Sequence, residues 1–323
     1  MDKKDLRIIY LGTPDFAVES LKRLIEGGYN VVAVVTMPDK PIGRHQNHLV
    51  PSPIKEYALS VGLPVLQPDN LKDSNFIEQL RSYNADIQIV VAFRMLPKVV
   101  WDMPRLGTFN LHASLLPQYR GAAPINWAII NGDKETGITT FFLKHEIDTG
   151  DIIDQIHVSI NDDETFGDIH DRLMVLGGDL VVKTIDNILN NSVISHPQSE
   201  YIKEGLELKP APKIFRDTCR INISKNITEI HNFVRGLSPT PTAWTMLKTD
   251  KGELALKIYH THKEISTITQ PIGTIISDNK TFIKIALQDG YLYIEELQLS
   301  GKKKMMTTDF LRGYKFTGTE SIY

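Results

Sequence analysis

The hydrophobic pattern changes period twice before residue 36. Arg7-Ile8-Ile9-Tyr10-Leu11 is a nearly continuous apolar run, ended by Gly12-Thr13-Pro14-Asp15. Phe16, Val18, Leu21, Leu24 and Ile25 then recur at helical spacing until Gly27-Gly28, and residues 31–35 are again unbroken in apolar character. Strands buried on both faces read this way, so the pattern predicts a strand–helix–strand unit with a right-handed crossover in a largely parallel sheet. Residues 37–50 carry no period and hold two prolines and a glycine, which reads as a long polar loop. Ser52-Pro53 fits a helix cap followed by Pro at the first helical position, and that helix runs to about residue 61. A short strand over 62–66, a helix over about 73–83, a strand over 86–93 and a strand over 108–111 follow.

Residues 122–130 read as a helix. The runs 137–143 and 152–160 flank an Asp148-Thr149-Gly150 turn, which suggests a hairpin at the edge of the sheet. Phe166, Ile169, Leu173, Leu180, Thr184 and Ile188 form one stripe of a long amphipathic helix over 164–189. Character then changes. Residues 191–217 are irregular and include Leu208-Lys209-Pro210-Ala211-Pro212, as a linker would. A short helix over 227–234 precedes closely spaced strands at 254–259, 273–276, 282–286 and 291–298, separated by turns such as Asp289-Gly290. The expected architecture is α/β, with a Rossmann-like mostly parallel sheet followed by a small OB-like β-barrel.

A length of 323 residues accommodates two domains, and 41% apolar residues suffice for two ordinary cores. Cys219 is the only cysteine, which excludes an intramolecular disulfide and a cysteine-based metal cluster. The first five residues carry charges of both signs, and no stretch approaches about 18 apolar residues. Neither a secretory signal nor a membrane span is expected, so the protein is placed in the cytoplasm. The net charge of −3 conceals an asymmetry. Residues 209–323 hold 17 Lys/Arg against 11 Asp/Glu, a net of +6, and residues 1–208 carry −9.

Within this framework Asn110 and His112 stand out. Two apart on a strand, they leave from the same face. They sit at the carboxyl end of a parallel strand, where open α/β sheets bind ligands. Asp148 follows 36 residues after His112. An amide, an imidazole and a carboxylate suit attack on a carbonyl, in which an oxyanion develops and a proton moves. Other chemistries fit less well. Gly12-Thr13-Pro14-Asp15 lacks the Gly-x-Gly of a dinucleotide site. Asp148-Thr149-Gly150 occurs once, whereas a single-chain aspartic protease carries that triplet twice. His45 and His48, and His260 and His262, have no acidic or sulfur partners at metal-ligand spacing, so no metal is expected. Lys302-Lys303-Lys304 is either a solvated edge or a phosphate contact.

The run from Asn110 to Pro124 (Asn-Leu-His-Ala-Ser-Leu-Leu-Pro-Gln-Tyr-Arg-Gly-Ala-Ala-Pro), with Asp148-Thr149-Gly150-Asp151, strongly resembles the methionyl-tRNA formyltransferase family. Residues 11–17, Pro51-Ser52-Pro53, Arg235-Gly236-Leu237-Ser238-Pro239 and Gly301-Lys302-Lys303-Lys304-Met305 resemble it too, in order along nearly the whole chain. The resemblance implies a formyltransferase catalytic domain over 1–190, a linker over 191–208 and an OB-like tRNA-binding domain over 209–323. It implies 10-formyltetrahydrofolate as co-substrate, initiator methionyl-tRNA as acceptor, no metal, no membrane and a monomer. Asn110, His112 and Asp148 would be the catalytic residues. Asn110 would donate to the oxyanion, His112 would donate a second hydrogen bond or a proton, and Asp148 would orient and charge-stabilise His112. Ser114, Leu115, Leu116 and Pro117, with Phe93 and Arg94, would contact the folate. Lys40, Arg44, Lys302, Lys303 and Lys304 would contact tRNA. Formyl transfer to a sugar-nucleotide amine or to glycinamide ribonucleotide shares the trio without needing a basic barrel. A hydrolase releasing formate, and a non-catalytic RNA-binding protein, leave more of the chain unexplained.

The sequence departs from the family where relatives usually carry Gly-Arg-Gly-Lys-Lys: Gly43-Arg44 is followed by His45-Gln46-Asn47-His48. Fewer fixed positive charges imply weaker and more pH-dependent tRNA contact. In salt titrations of tRNA binding at two pH values, His45→Lys is expected to bind more tightly and with less pH dependence than the wild type; identical curves would remove the idea.

Overall fold

The computed structural model describes residues 2–42 and 48–323. The chain divides into two compact units. The first is Met1–Gly121, Gly137–Val158 and His170–Pro210, and the second is Ala122–Thr136, Ser159–Ile169 and Ala211–Tyr323.

The first unit begins as its periodicity predicts, with β1 (Arg7–Gly12), α1 (Phe16–Glu26) and β2 (Asn30–Val35). The unpatterned stretch differs from its sequence reading. Its ends are β3 (Lys40–Ile42) and β4 (His48–Val50), paired antiparallel outside the main sheet. Three-residue strands joined only to each other need no core-facing alternation, so they leave no period in the sequence. Next come α2 (Pro53–Ser60), β5 (Val65–Leu66), α3 (Ser74–Ser82), β6 (Ile87–Val91), α4 (Lys98–Trp101) and β7 (Thr108–His112). The Ser52 hydroxyl caps α2 by accepting from the Lys55 N–H. Along the chain α5 (Pro124–Ile130), which belongs to the second unit, precedes β8 (Glu135–Phe142), β9 (Ile152–Ser159) and α6 (Phe166–Leu189).

The sheet order is β5-β2-β1-β6-β7-β8-β9. Pairings from β5 through β7 are parallel, β8 joins β7 antiparallel, and β9 forms the edge. Ile9, Leu11, Val35 and Val90 on one sheet face pack with Phe76 and Leu80 of α3 and Val100 of α4. Each such buried side chain contributes about 1.5–3 kcal/mol over leaving it in water. The chain departs from β1 toward β2 on one side and β6 on the other, and that reversal opens a crevice beyond the strands' carboxyl ends.

The second unit contains α5, α7 (Ile227–Gly236), β10 (Ala243–Thr249), β11 (Gly252–Ile265), β12 (Ile275–Ser277), β13 (Ile283–Leu287), β14 (Gly290–Leu299), β15 (Met305–Met306), α8 (Thr307–Gly313) and β16 (Ser321–Ile322). Its sheet runs β12-β13-β14-β11-β10-β16. Ile275 N–H donates to Glu320 O at 3.1 Å and Ile322 N–H to Gly273 O at 2.8 Å, so the two ends meet and a small barrel closes. Leu256, Ile258, Ile285, Leu292 and Ile294 fill it together with Ile227, Ile230 and Val234 of α7.

The Arg235-Gly236 pair has a structural explanation. Arg235 is buried and donates to the carbonyls of Asn161 at 3.1 Å and Glu164 at 3.0 Å. A Cβ on Gly236 would meet Ile130 of α5 at 2.7 Å, and Asn126 Nδ2 donates to the Gly236 carbonyl. Beside them, His231 is buried, with Nδ1 at 2.9 Å from Thr261 Oγ1 and Nε2 facing the Asp162 carbonyl. Burial, reinforced by the cationic Lys263 and Arg235, holds its pKa below the ordinary value. The unfolded chain therefore takes up this proton first as pH falls, so His231 contributes stability above about pH 6.5 that is lost on acidification. Thermal unfolding followed from pH 7.5 to 5.5 is expected to show a falling midpoint whose slope His231→Gln reduces; an unchanged slope would remove His231 from this role.

Candidate active site

β7 carries the site. Paired with β6 on one side and β8 on the other, it presents Leu111 to one face and Asn110 and His112 to the opposite one. On the Leu111 face, α6 approaches so closely that a Cβ on Gly177 would meet Leu111 and Ile138, each at 2.8 Å.

His112 is buried, and its ring is held at Nε2. Nε2 lies 2.9 Å from the Tyr119 carbonyl oxygen. A carbonyl only accepts, so Nε2 carries a hydrogen, and Nδ1 is the nitrogen left to exchange a proton. Asp148 Oδ2 stands 3.9 Å from Nδ1, within ion-pair range but beyond a direct hydrogen bond. The same carboxylate oxygen accepts the Gly121 N–H at 3.0 Å. The carboxylate and imidazole side chains are 11% and 7% exposed, so their interaction is poorly screened by solvent.

The turns supplying these partners are strained. Asp148 has φ +53° and Tyr119 φ +58°, left-handed conformations that cost roughly 1–2 kcal/mol for residues other than glycine. Gly150 permits the first. A Cβ there would fall 1.6 Å from the Phe142 carbonyl oxygen, so no other residue fits. The second turn is pinned by a strap: Tyr119 N–H donates to Lys209 O at 2.8 Å, Gln118 Nε2 to Glu207 O, and Lys209 N–H to Gln118 Oε1.

Three buried polar atoms follow the ends of adjacent parallel strands without a partner: Thr13 Oγ1 after β1, Arg94 Nε after β6, and Asn110 Oδ1 on β7. Folded proteins leave few such atoms unsatisfied. All three lie at or just past the carboxyl ends of their strands, where open α/β sheets bind ligands.

The structure brings Asn110, His112 and Asp148 into one site. It treats the expected folate residues unevenly. Ser114, Leu116 and Pro117 are buried. The Ser114 hydroxyl donates to Gln118 O, and Leu116 packs with Phe141 and Ile152. Their side chains shape the turn from within, and Leu115 is half-buried. Phe93 packs on the cluster of α3 and α4, and Arg94 donates to the carbonyls of Pro68 and Asp69. Burial lowers the pKa of that guanidinium. Among the tRNA candidates, Lys40 is exposed on β3, and Arg44 lies outside the described residues. Lys302 and Lys303 are exposed in the turn between β14 and β15. Lys304 pairs with Glu296 at 2.9 Å and lies 4.6 Å over the Tyr259 ring. Thr13, Tyr119 and Gly121 were not anticipated, because two of them act through backbone groups, which carry no side-chain signal. Among the described residues, no group of three His, Cys, Asp or Glu side chains could hold a metal ion. No helix there is long and apolar enough to cross a membrane.

The formyl transferase family model matches residues 6–185, and the formyl transferase C-terminal domain model matches 213–315. The chain is 62% identical to a methionyl-tRNA formyltransferase from Phocaeicola vulgatus over 100% of both chains. It is 61% identical to one from Parabacteroides distasonis over 98% of each. Among solved structures it is similar to WlaRD, a sugar 3N-formyl transferase, with a TM-score of 0.65 and 22% identity over 92% of this chain and 99% of that one. An N-formyltransferase from Helicobacter canadensis gives a TM-score of 0.62 at 21% identity, over 93% and 100%. These two likenesses concern the fold.

Replacing Gly150 by Ala forces the Asp148 turn away from β8. Gly150→Ala is expected to lower the thermal midpoint and to cut formyl-transfer activity at least tenfold at temperatures where it remains folded. Wild-type values for both would show that the turn can relax without cost.

Proposed function

The chain belongs to the methionyl-tRNA formyltransferase family, and from that premise we propose how its residues carry out the reaction. The enzyme transfers a formyl group to the α-amine of methionyl-tRNA. The proposed donor is 10-formyltetrahydrofolate, which supplies a formyl carbon open to attack by an amine. The cleft at the ends of β1, β6 and β7 takes it, with the unpartnered Thr13, Arg94 and Asn110 atoms supplying polar contacts. The 114–117 turn and Phe93 shape the wall.

The observation that carries the reading is Asn110 and His112 on one strand face, with Asp148 opposite His112 Nδ1. Asn110 turns its amide N–H toward the oxygen on which negative charge grows during attack. Such a preorganised donor is typically worth roughly 2.7–4 kcal/mol in the transition state. The Nε2 hydrogen of His112 is engaged by Tyr119, so the proton it exchanges sits on Nδ1. Neutral His112 accepts the amine's proton there, and Asp148 stabilises the imidazolium that results. His112 returns the proton to the departing folate nitrogen. The acceptor is initiator methionyl-tRNA, and formylation readies it for translation initiation in the cytoplasm, with the enzyme acting as a monomer. The net charge of +6 over residues 209–323 supports RNA contact by the second unit, with Lys40, Arg44 and Lys302–Lys304 as candidate phosphate contacts.

Incubation with 10-formyltetrahydrofolate and charged initiator tRNA is expected to yield formyl-methionyl-tRNA and no formylated sugar-nucleotide amine; the reverse preference would overturn the acceptor. Asn110→Ala is expected to lower kcat about 100-fold or more with folate affinity little changed. Near-wild-type turnover would remove Asn110 from the oxyanion role.

A further inference from the structure

Gln198 lies in a stretch without helical or strand periodicity, yet its side chain is only 4% exposed. Its amide uses its full hydrogen-bonding capacity. Nε2 donates to the Asp148 carbonyl at 2.8 Å and to the Gly150 carbonyl at 2.9 Å. Oε1 accepts from Arg120 Nε at 3.0 Å and Nη2 at 2.6 Å. The orientation is unambiguous, because a flipped amide would set its oxygen against two carbonyls and its nitrogen against a guanidinium. The segment before it is fastened to the start of β9, just past that turn: Ile152 and His196 exchange two backbone hydrogen bonds, each 2.8 Å.

We propose that Gln198 is a positioning residue, which with Arg120 holds the left-handed Asp148 turn so that the carboxylate stays opposite His112 Nδ1. The proposal rests on the reading of Asp148 given above. The amide bridges the two turns that meet at the site. Arg120 sits next to Gly121, whose N–H binds the Asp148 carboxylate, and directly follows Tyr119, whose carbonyl fixes the His112 tautomer. Gln198 grips the opposite side of the Asp148 turn through its backbone carbonyls. One neutral side chain thus ties the position of the carboxylate to that of the imidazole and adds no charge to the site. The segment from His196 to Lys209 becomes part of the catalytic framework, with Gln198 on the Asp148 turn and Glu207 and Lys209 on the 118–119 turn.

The test is a cycle of Gln198→Met, which keeps length and burial but removes all four hydrogen bonds, with Asp148→Asn. Gln198→Met is expected to lower kcat roughly 10–100-fold, with KM for both substrates within about twofold. In the Asp148→Asn background the same substitution should cost at most about twofold more, because the group it positions no longer works as a carboxylate. A Gln198→Met enzyme with wild-type kcat, or losses that multiply fully in the double variant, would overturn the proposal. Should Gln198→Met fail to fold, Arg120→Met decides: it removes the donors on the other side of the amide and should give the same kcat-specific, non-multiplying loss, and its absence would overturn the proposal equally. Near-wild-type turnover of Asp148→Asn would instead defeat the reading of Asp148, an outcome the single variants separate cleanly.

Discussion

The site depends on β7 being hydrogen-bonded along both edges. Its register is set from one side by the parallel ladder with β6, from Gln88 opposite Thr108 to Val91 opposite Leu111, and from the other by the antiparallel ladder with β8. A slip of one residue against either neighbour would send Asn110 and His112 to the Leu111 face. With both edges occupied and Gly177 packed closely on Leu111, that slip would break two ladders and a helix contact together. The spacing of an amide and an imidazole on one strand becomes a fixed geometry for this reason.

Around that rigid strand, the chain holds conformations it would not adopt alone. Asp148 and Tyr119 are both left-handed, and one supplies a carboxylate and the other a carbonyl to the same histidine. Their cost is offset by contacts elsewhere: the fit of Gly150 beneath Phe142, the Gln118–Glu207 and Tyr119–Lys209 hydrogen bonds, and the amide of Gln198. The unpartnered oxygen of Asn110 shows the same economy from the other side. An acceptor left unsatisfied in the resting protein is free to meet a donor that a bound ligand brings, while the amide N–H of the same side chain is the group for an oxyanion.

Resemblance to a family gathers residues that do different work, and physical reading separates them. Asn110 and His112 face the cleft, whereas Arg235 and Gly236 seat a helix in the second unit. Ser114, Leu116 and Pro117 lie between these cases, buried within the turn that follows β7. Lys304 is part ion pair and part aromatic contact, while Lys302 and Lys303 keep their charge in solvent. The chemistry is confined to a few groups, and the rest of each quoted stretch keeps those groups in place.

By itself the sequence determined what local physics controls. Unbroken apolar runs around a helical period meant parallel strands covered on both faces, the stripe from Phe166 to Ile188 meant one long helix, and a spacing of two put Asn110 and His112 on one face. It could not show that Asp148 is their partner, because 35 intervening residues pass through α5 and back along β8 before the carboxylate arrives. The tautomer of His112, the grip of Gln198, the short hairpin of β3 and β4, and the closing of the barrel through β16 were decided only by tertiary structure. Each depends on a backbone carbonyl or amide, or on a segment of two or three residues. Backbone groups are identical at every position, and so short a segment has no period to read.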